Sequence, residues 1–157
     1  MRVALWLACA FALMACGQKL TVEQQVINTI REMESKLEAG QRIGFMAHIA
    51  DEFRGQDGGM SREEVRALVV FQLQRYEQLQ GRLFPIGVTE TGPETAEARF
   101  RALVTGGAGL IPESGRVYDF ETWWRLEGGD WLLTAANWDP VPLDEVLDEL
   151  PLPEADS

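Results

Sequence analysis

Apolar residues recur with the period of a helix from residue 21 onward. The first stripe repeats every three or four positions, and its members are Val22, Val26, Ile30, Met33 and Leu37. This spacing is typical of a helix that buries one face. Thr21 and Gln24 form a capping box at its start and Gly40 follows its end, so the pattern predicts a helix over 22–39.

Two further helical segments follow the first. Apolar residues over 42–50 indicate a short second helix, and residues 54–60 form a glycine-rich loop. A second capping box, Ser61 with Glu64, opens a third helix that runs to about Gln78. The first half of the chain therefore predicts three helices joined by loops.

The pattern changes to alternation after Gly81, which is typical of half-buried strands. Strands are predicted over 83–89, 95–105, 117–126 and 131–138. Pro85 places the first of them at a sheet edge, because proline cannot donate to the ladder. Residues 127–130 form a hairpin turn between the last two strands. Three helices followed by at least four antiparallel strands predict an α+β fold with the helices on one face of the sheet.

The first residues, 1–15, have the composition of a secretory signal. Arg2 supplies a positive start, and the uncharged run after it is too short to span a bilayer. The run ends in Leu13-Met14-Ala15-Cys16, which resembles the bacterial lipobox. The resemblance implies that Cys16 is acylated and becomes the first residue of the mature protein. The alternative is an ordinary cleaved signal in which Cys16 is incidental.

Acylation of Cys16 implies an anchored protein of the bacterial cell envelope that faces the periplasm, with residues 16–20 as its tether. One acyl chain gives only marginal membrane binding, and a diacylated or triacylated cysteine meets the need for more than one. Gly17 is not the Asp that favours inner-membrane retention in enteric-type sorting. The resemblance therefore implies the outer membrane.

Composition narrows the function classes. Of 157 residues, 142 remain once the first 15 are removed, enough for one domain with a hydrophobic core. Acidic residues outnumber basic ones by 25 to 14, which argues against binding nucleic acid. Because the same charge is repelled by anionic head groups, the lipid must supply the membrane attachment. Cys9 leaves with the signal, so the mature domain has no disulfide and no thiol nucleophile. No sequence pattern indicates a metal site or a cofactor.

The order of elements resembles the nuclear transport factor 2-like (SnoaL-like) superfamily over residues 21–140. Residues 45–53 resemble the family's second helix, 61–65 the start of its third helix, and 123–138 its closing hairpin. The resemblance implies three N-terminal helices packed on a curved antiparallel sheet, a cystatin-like cone that usually encloses a pocket. Residues 141–157 form an acidic tail that contains proline.

The candidate site residues have competing structural roles. His48 is the sole histidine and a candidate general base, or else a packed histidine at a rim. Asp51 lies near the position where the resemblance places a carboxylate base in isomerase-type members. Its competing role is a turn carboxylate that accepts hydrogen bonds from the amides of residues 54–60. Three aromatic residues could line a pocket or belong to the sheet core: Tyr118, Phe120 and Trp124.

Without a convergent catalytic set, the sequence favours non-catalytic binding of a small apolar ligand or a protein partner, in or beside the cone. One alternative is an isomerase or dehydratase that uses Asp51 and His48. Another is an envelope-assembly module that uses a sheet edge or the acidic tail. Because some family members dimerise through the sheet, the resemblance also implies a homodimer of that kind.

Overall fold

The computed structural model describes residues 20–76, 78–107, 114–142 and 145. The predicted signal over 1–15, the predicted acylation site Cys16 and nearly all of the acidic tail lie outside the described residues. Within the described ranges, no helix is long and apolar enough to cross a membrane.

Three helices are described in full, with the bounds Val22–Glu38 (α1), Arg42–Ala47 (α2) and Arg62–Arg75 (α3). Both predicted capping boxes are confirmed. The Thr21 hydroxyl accepts a hydrogen bond from the Gln24 amide, and the Gln24 side chain accepts one from the Thr21 amide. Ser61 and Glu64 make the same two hydrogen bonds at the start of α3. Gly40 follows α1 with a φ of 66°, a conformation that favours glycine.

Seven strands form one sheet. Their bounds are Ile49–Gly55 (β1), Met60–Ser61 (β2), Gln78–Leu83 (β3), Gly87–Gly92 (β4), Thr95–Gly107 (β5), Ser114–Glu127 (β6) and Asp130–Pro140 (β7). The strand order is β2-β1-β7-β6-β5-β3, and β4 also pairs with β5. Strand β5 pairs with β4 along its first half and with β3 along its second half. Helices and a single sheet together confirm the predicted α+β class.

The sheet differs from the prediction in two places. The sequence predicts a helix end and a loop over Ile49–Gly55, but these residues form β1, which pairs with β7 in parallel. The sheet is therefore mixed, not wholly antiparallel. The predicted strand 83–89 is divided between β3 and β4, because Pro85 lies in the interruption between them.

The core lies between the helices and one face of the sheet, here called the concave face; the opposite face is the outer face. Helix α1 contributes Val26, Ile30 and Met33 to it. The sheet contributes large residues on β6 and β7, namely Trp124, Trp131 and Leu133, and small ones on β5 and β7, namely Ala96, Ala98 and Ala136. Alanines at 1% exposure leave room for the two buried indoles under α1.

A β-bulge changes the alternation of β7. Trp123 lies opposite Ala135 and Trp124 opposite Leu133, so Thr134 is an extra residue on β7. Its hydroxyl donates to the Trp123 carbonyl at 3.1 Å. Beyond the bulge, the even-numbered residues of β7 face the concave side.

Side chains hold the turn after β1 against β7. Gln56 and Asp57 have φ values of 51° and 54°, which are uncommon outside glycine. The side-chain oxygen of Asn137 accepts a hydrogen bond from the Asp57 backbone amide at 2.9 Å, and its side-chain nitrogen donates one to the Asp57 carboxylate at 2.8 Å. The Gln56 side-chain amide donates to the Trp138 carbonyl at 3.0 Å and accepts from the Trp138 amide at 3.3 Å, as a further strand residue would.

Candidate functional site

Four aromatic side chains lie together on the concave face and are called here the aromatic row: Phe100, Tyr118, Phe120 and Trp138. The rings of Phe100 and Phe120 are stacked, with centroids 5.2 Å apart. Tyr118 and Trp138 each lie 6.3 Å from Phe120. All four are half-buried, so the row is an apolar surface at the margin of the core.

The sheet register brings the row together. Phe120 lies opposite Phe100 on one side and opposite Trp138 on the other. Tyr118 precedes Phe120 by two residues and therefore shares its face. Directly opposite side chains in antiparallel strands contact each other, which explains why Phe100, Phe120 and Trp138 meet across three strands.

The two central strands, β5 and β6, present few groups for proton transfer on the concave face. Between Ala96 and Gly106 on β5, and between Arg116 and Leu126 on β6, no residue that faces this side is a carboxylate or a histidine. The buried hydroxyl of Thr122 donates to the Ala98 carbonyl at 2.8 Å. Among the described residues, no three His, Cys, Asp or Glu side chains could hold a metal ion. The side chains that β5 and β6 present on this face are therefore mainly apolar, and the aromatic row is their largest apolar group.

Trp124 shares the concave face with Tyr118 and Phe120 but lies deeper. It is 3% exposed, and its indole N–H donates to the Thr122 hydroxyl at 2.9 Å. The structure therefore places Tyr118 and Phe120 in the aromatic row and Trp124 in the core beneath α1.

His48 and Asp51 do not meet. His48 caps the C-terminus of α2, and its Nε2 lies 3.7 Å from the Glu32 carboxylate. Asp51 lies in β1 with its side chain 98% exposed, 3.7 Å from the Arg62 guanidinium. The alternative expected for Asp51, a bond to the loop amides, is wrong because the first of those residues belong to β1 and the Asp57 amide bonds to Asn137.

The outer face carries ion pairs that run across the strands. Arg99 pairs with Glu121, and Arg101 pairs with Asp119 through contacts of 2.7 and 3.2 Å. Arg101 also lies 3.8 Å from Glu145, which follows β7. A shallow depression of about 490 Å³ lies here, and most of its lining is polar: Arg99, Arg101, Asp119, Glu121, Asn137 and Asp139.

Arg125 connects β1 to β6 on the outer face. Its guanidinium donates to the carboxylates of Glu52 and Glu127. The hydrogen bond from Arg125 lowers the pKa of Glu52, and the two carboxylates raise the pKa of Arg125. These groups are exposed and bind each other, so they are surface structure and not an acid–base pair.

Phe100 and Trp138 belong to the site but are not among the candidates predicted from the sequence. Phe100 was available from the alternation of β5, which places it among alanines on the buried face. Trp138 was not, because the bulge at Thr134 changes the face on which the residues of β7 lie.

Neither a scan of protein families nor a search of curated proteins gives a match to this sequence. Solved structures do. A proposed scytalone dehydratase from Novosphingobium aromaticivorans has a TM-score of 0.66, 8% identity and coverage of 75% of this chain and 83% of its own. A proposed dehydratase of the NTF2-like family from Streptomyces avermitilis has a TM-score of 0.64, 17% identity and coverage of 75% and 95%.

An NTF2-like protein of unknown function from Pseudomonas putida has a TM-score of 0.64 at 15% identity, over 86% of this chain and 96% of its own. Bd1075 from Bdellovibrio bacteriovorus has a TM-score of 0.66 at 8% identity, and this chain spans 41% of its length. These similarities confirm the NTF2-like, cystatin-like α+β fold. At such identities they establish the fold alone.

Proposed function

We propose that this chain is a lipid-anchored protein of the bacterial envelope whose cone binds a small apolar molecule without catalysing its conversion. The observation that supports binding is the aromatic row, four half-buried rings beside which the described concave-face residues of β5 and β6 include no carboxylate or histidine. Exposed apolar surface of this kind favours a ligand that removes it from water.

The anchor is argued from the Leu13–Cys16 motif. Acylation of Cys16 holds the domain on the periplasmic side of the outer membrane. Cys16→Ser should abolish labelling with a radioactive fatty acid and release the protein from the membrane fraction, whereas Cys9→Ser, which changes a cysteine of the removed signal, should change neither. Retention of label and membrane attachment by Cys16→Ser would contradict the anchor.

Binding to the aromatic row is tested with a neutral aromatic probe, naphthalene-2-sulfonamide. The full chain in phosphatidylcholine nanodiscs is titrated by calorimetry, with empty nanodiscs as the blank. Phe120→Ala should weaken binding by about tenfold, because stacking on a ring contributes roughly 1–1.5 kcal/mol beyond area burial. Phe71→Ala removes an aromatic ring that is 55% exposed on α3 and should leave the affinity unchanged. Equal affinities of both variants and the original chain would refute binding at the row.

An enzyme of the isomerase or dehydratase type is the alternative, and the similarity to two proposed dehydratases supports it. Such an enzyme would use Asp51 and His48, which have separate partners and do not face the aromatic row. Turnover of a dehydratase substrate that is lost in His48→Gln and in Asp51→Asn would favour this alternative. Turnover that survives both changes would remove these residues from it.

A protein partner on the outer face is the second alternative, with a second copy of this chain as the first choice. The depression between Arg99 and Asp139 presents both signs of charge to a partner. Sedimentation of the chain at increasing concentration, with Arg99→Glu as the disruptive variant, tests the homodimer. A pulldown from envelope extract that returns no stoichiometric partner would count against an assembly module.

A further inference from the structure

One arginine stands at the open end of the concave face. Arg116 lies on β6 opposite Val104, two residues before Tyr118 and therefore on the same face. Its side chain is exposed. Arg116 is therefore the next concave-face residue of β6 after Tyr118, at the end of the aromatic row farther from the core residue Trp124.

A second arginine reaches the same end from α3. The helix ends at Arg75, and the ring of Tyr76 lies against Gly106, where a Cβ atom would come within 2.6 Å of the ring. The register places Gly106 two residues beyond Val104 on the concave face. The Arg75 guanidinium carbon lies 5.6 Å from the centre of the Tyr76 ring. Glycine is therefore required at 106, because it lets Tyr76 and Arg75 approach the sheet.

Neither of these two arginines has an acidic partner among the described residues. On the outer face, by contrast, Arg99, Arg101 and Arg125 are each paired with a carboxylate. Other described arginines, such as Arg42 and Arg82, also lack a carboxylate partner, so what distinguishes Arg116 is its place on the concave face beside the aromatic row. Cationic groups beside an apolar surface attract a molecule with the opposite arrangement, an apolar body and an anionic group.

We propose that the ligand of the aromatic row is a small, flat, apolar acid whose anionic group binds Arg116, with Arg75 as the neighbouring cation. The inference rests on the proposed function, which supplies the apolar part of the site. The planar guanidinium of Arg116 donates two parallel hydrogen bonds to a carboxylate or sulfonate, while the ring system of the ligand stacks on Phe120 and Tyr118.

The test compares two probes that share a ring and differ in charge, naphthalene-2-sulfonate and naphthalene-2-sulfonamide. Each is titrated by calorimetry into the full chain in phosphatidylcholine nanodiscs. The original chain should bind the sulfonate several-fold more tightly, since the Arg116 guanidinium donates charge-assisted hydrogen bonds to the sulfonate anion and only ordinary ones to the neutral sulfonamide. Arg116→Gln should remove this preference and leave the sulfonamide affinity unchanged. Arg75→Gln should reduce the preference by a smaller factor.

Arg99→Gln is the matched control, because Arg99 is an exposed arginine on the outer face. It should preserve the preference for the sulfonate. Equal affinities for the two probes in the original chain, or an undiminished preference in Arg116→Gln, would overturn the inference. If the sulfonamide binds in a manner that depends on Phe120 while charge has no effect, the proposed function stands and this inference fails. If neither probe binds, both fail.

Discussion

Gly55 offers a sharp test of how the core supports the aromatic row. The residue is buried at the end of β1, and a Cβ atom there would lie 3.2 Å from Cε1 and 3.3 Å from Cζ of Phe53. It would also lie 3.3 Å from Cζ3 of Trp138. These distances are shorter than the optimum of about 3.5–4.0 Å between carbon atoms. Phe53 is 1% exposed, so its ring has no free space into which to move.

Gly55→Ala should therefore lower the free energy of unfolding by about 1–3 kcal/mol, the usual cost of overpacking a core. Urea unfolding of the full chain, followed by tryptophan fluorescence, measures this change. Gly87→Ala is the control, because the nearest atom to its Cβ is the Arg99 carbonyl oxygen at 3.8 Å. Its stability should equal that of the original chain or exceed it by a few tenths of a kcal/mol.

A double-mutant cycle tests the stated cause. Phe53→Leu removes the ring that the new methyl group meets, so Gly55→Ala should cost less in that background than in the original chain. The two changes should be coupled by about 0.5 kcal/mol or more. Additive effects, or a Gly55→Ala variant as stable as the original chain, would refute the steric reasoning.

Three further predictions concern a cap, an ion pair and a turn. The amide and hydroxyl of Ser61 hold the pKa of Glu64 below its ordinary value, so Glu64 stabilises the fold above its ordinary pKa and ceases to do so as pH falls through the folded value. Glu64→Gln should therefore flatten the dependence of unfolding free energy on pH in that acidic range. Arg125→Gln should raise the pKa of Glu52 towards its ordinary value in a carboxyl NMR titration. Asn137→Ala should lower the free energy of unfolding by about 1 kcal/mol in urea, because it removes both side-chain bonds to the turn after β1.

Each of these predictions has a control variant of the same residue type. Glu63→Gln is the control for Glu64→Gln, because Glu63 is a first-turn carboxylate of α3 outside the capping box. Arg99→Gln is the control for Arg125→Gln, because Arg99 does not contact Glu52. Asn28→Ala is the control for Asn137→Ala, because Asn28 is an exposed asparagine of α1. If the unfolding free energy falls with acidic pH in the same way in Glu64→Gln and in the original chain, the role given to the cap is contradicted. A Glu52 titration that does not move in Arg125→Gln would contradict the ion pair, and an Asn137→Ala variant of unchanged stability would contradict the role given to the turn.

Local signals were sufficient for much of the fold. The stripe of α1, the two capping boxes and Gly40 all act within one or two turns of helix, so they are visible in a short stretch of chain. The same holds for the alternation of β5 and β6 and for the turn at Gly128 and Gly129, whose φ values are 60° and 97°. These signals predicted the α+β class that the structure confirms.

The tertiary structure alone decided three features of the candidate site. Residues Ile49–Gly55 form a strand because they pair with β7, which lies about eighty residues further along the chain. The bulge at Thr134 places Trp138 in the aromatic row, which no regular alternation predicts. The exposed Asp51 carboxylate lies 3.7 Å from the Arg62 guanidinium at the start of α3, a contact that depends on how α3 packs beside β1. The sequence by itself thus determined the periodic elements, whose interactions are local, whereas strand pairing and side-chain direction at the site depend on contacts between residues that are distant in the chain.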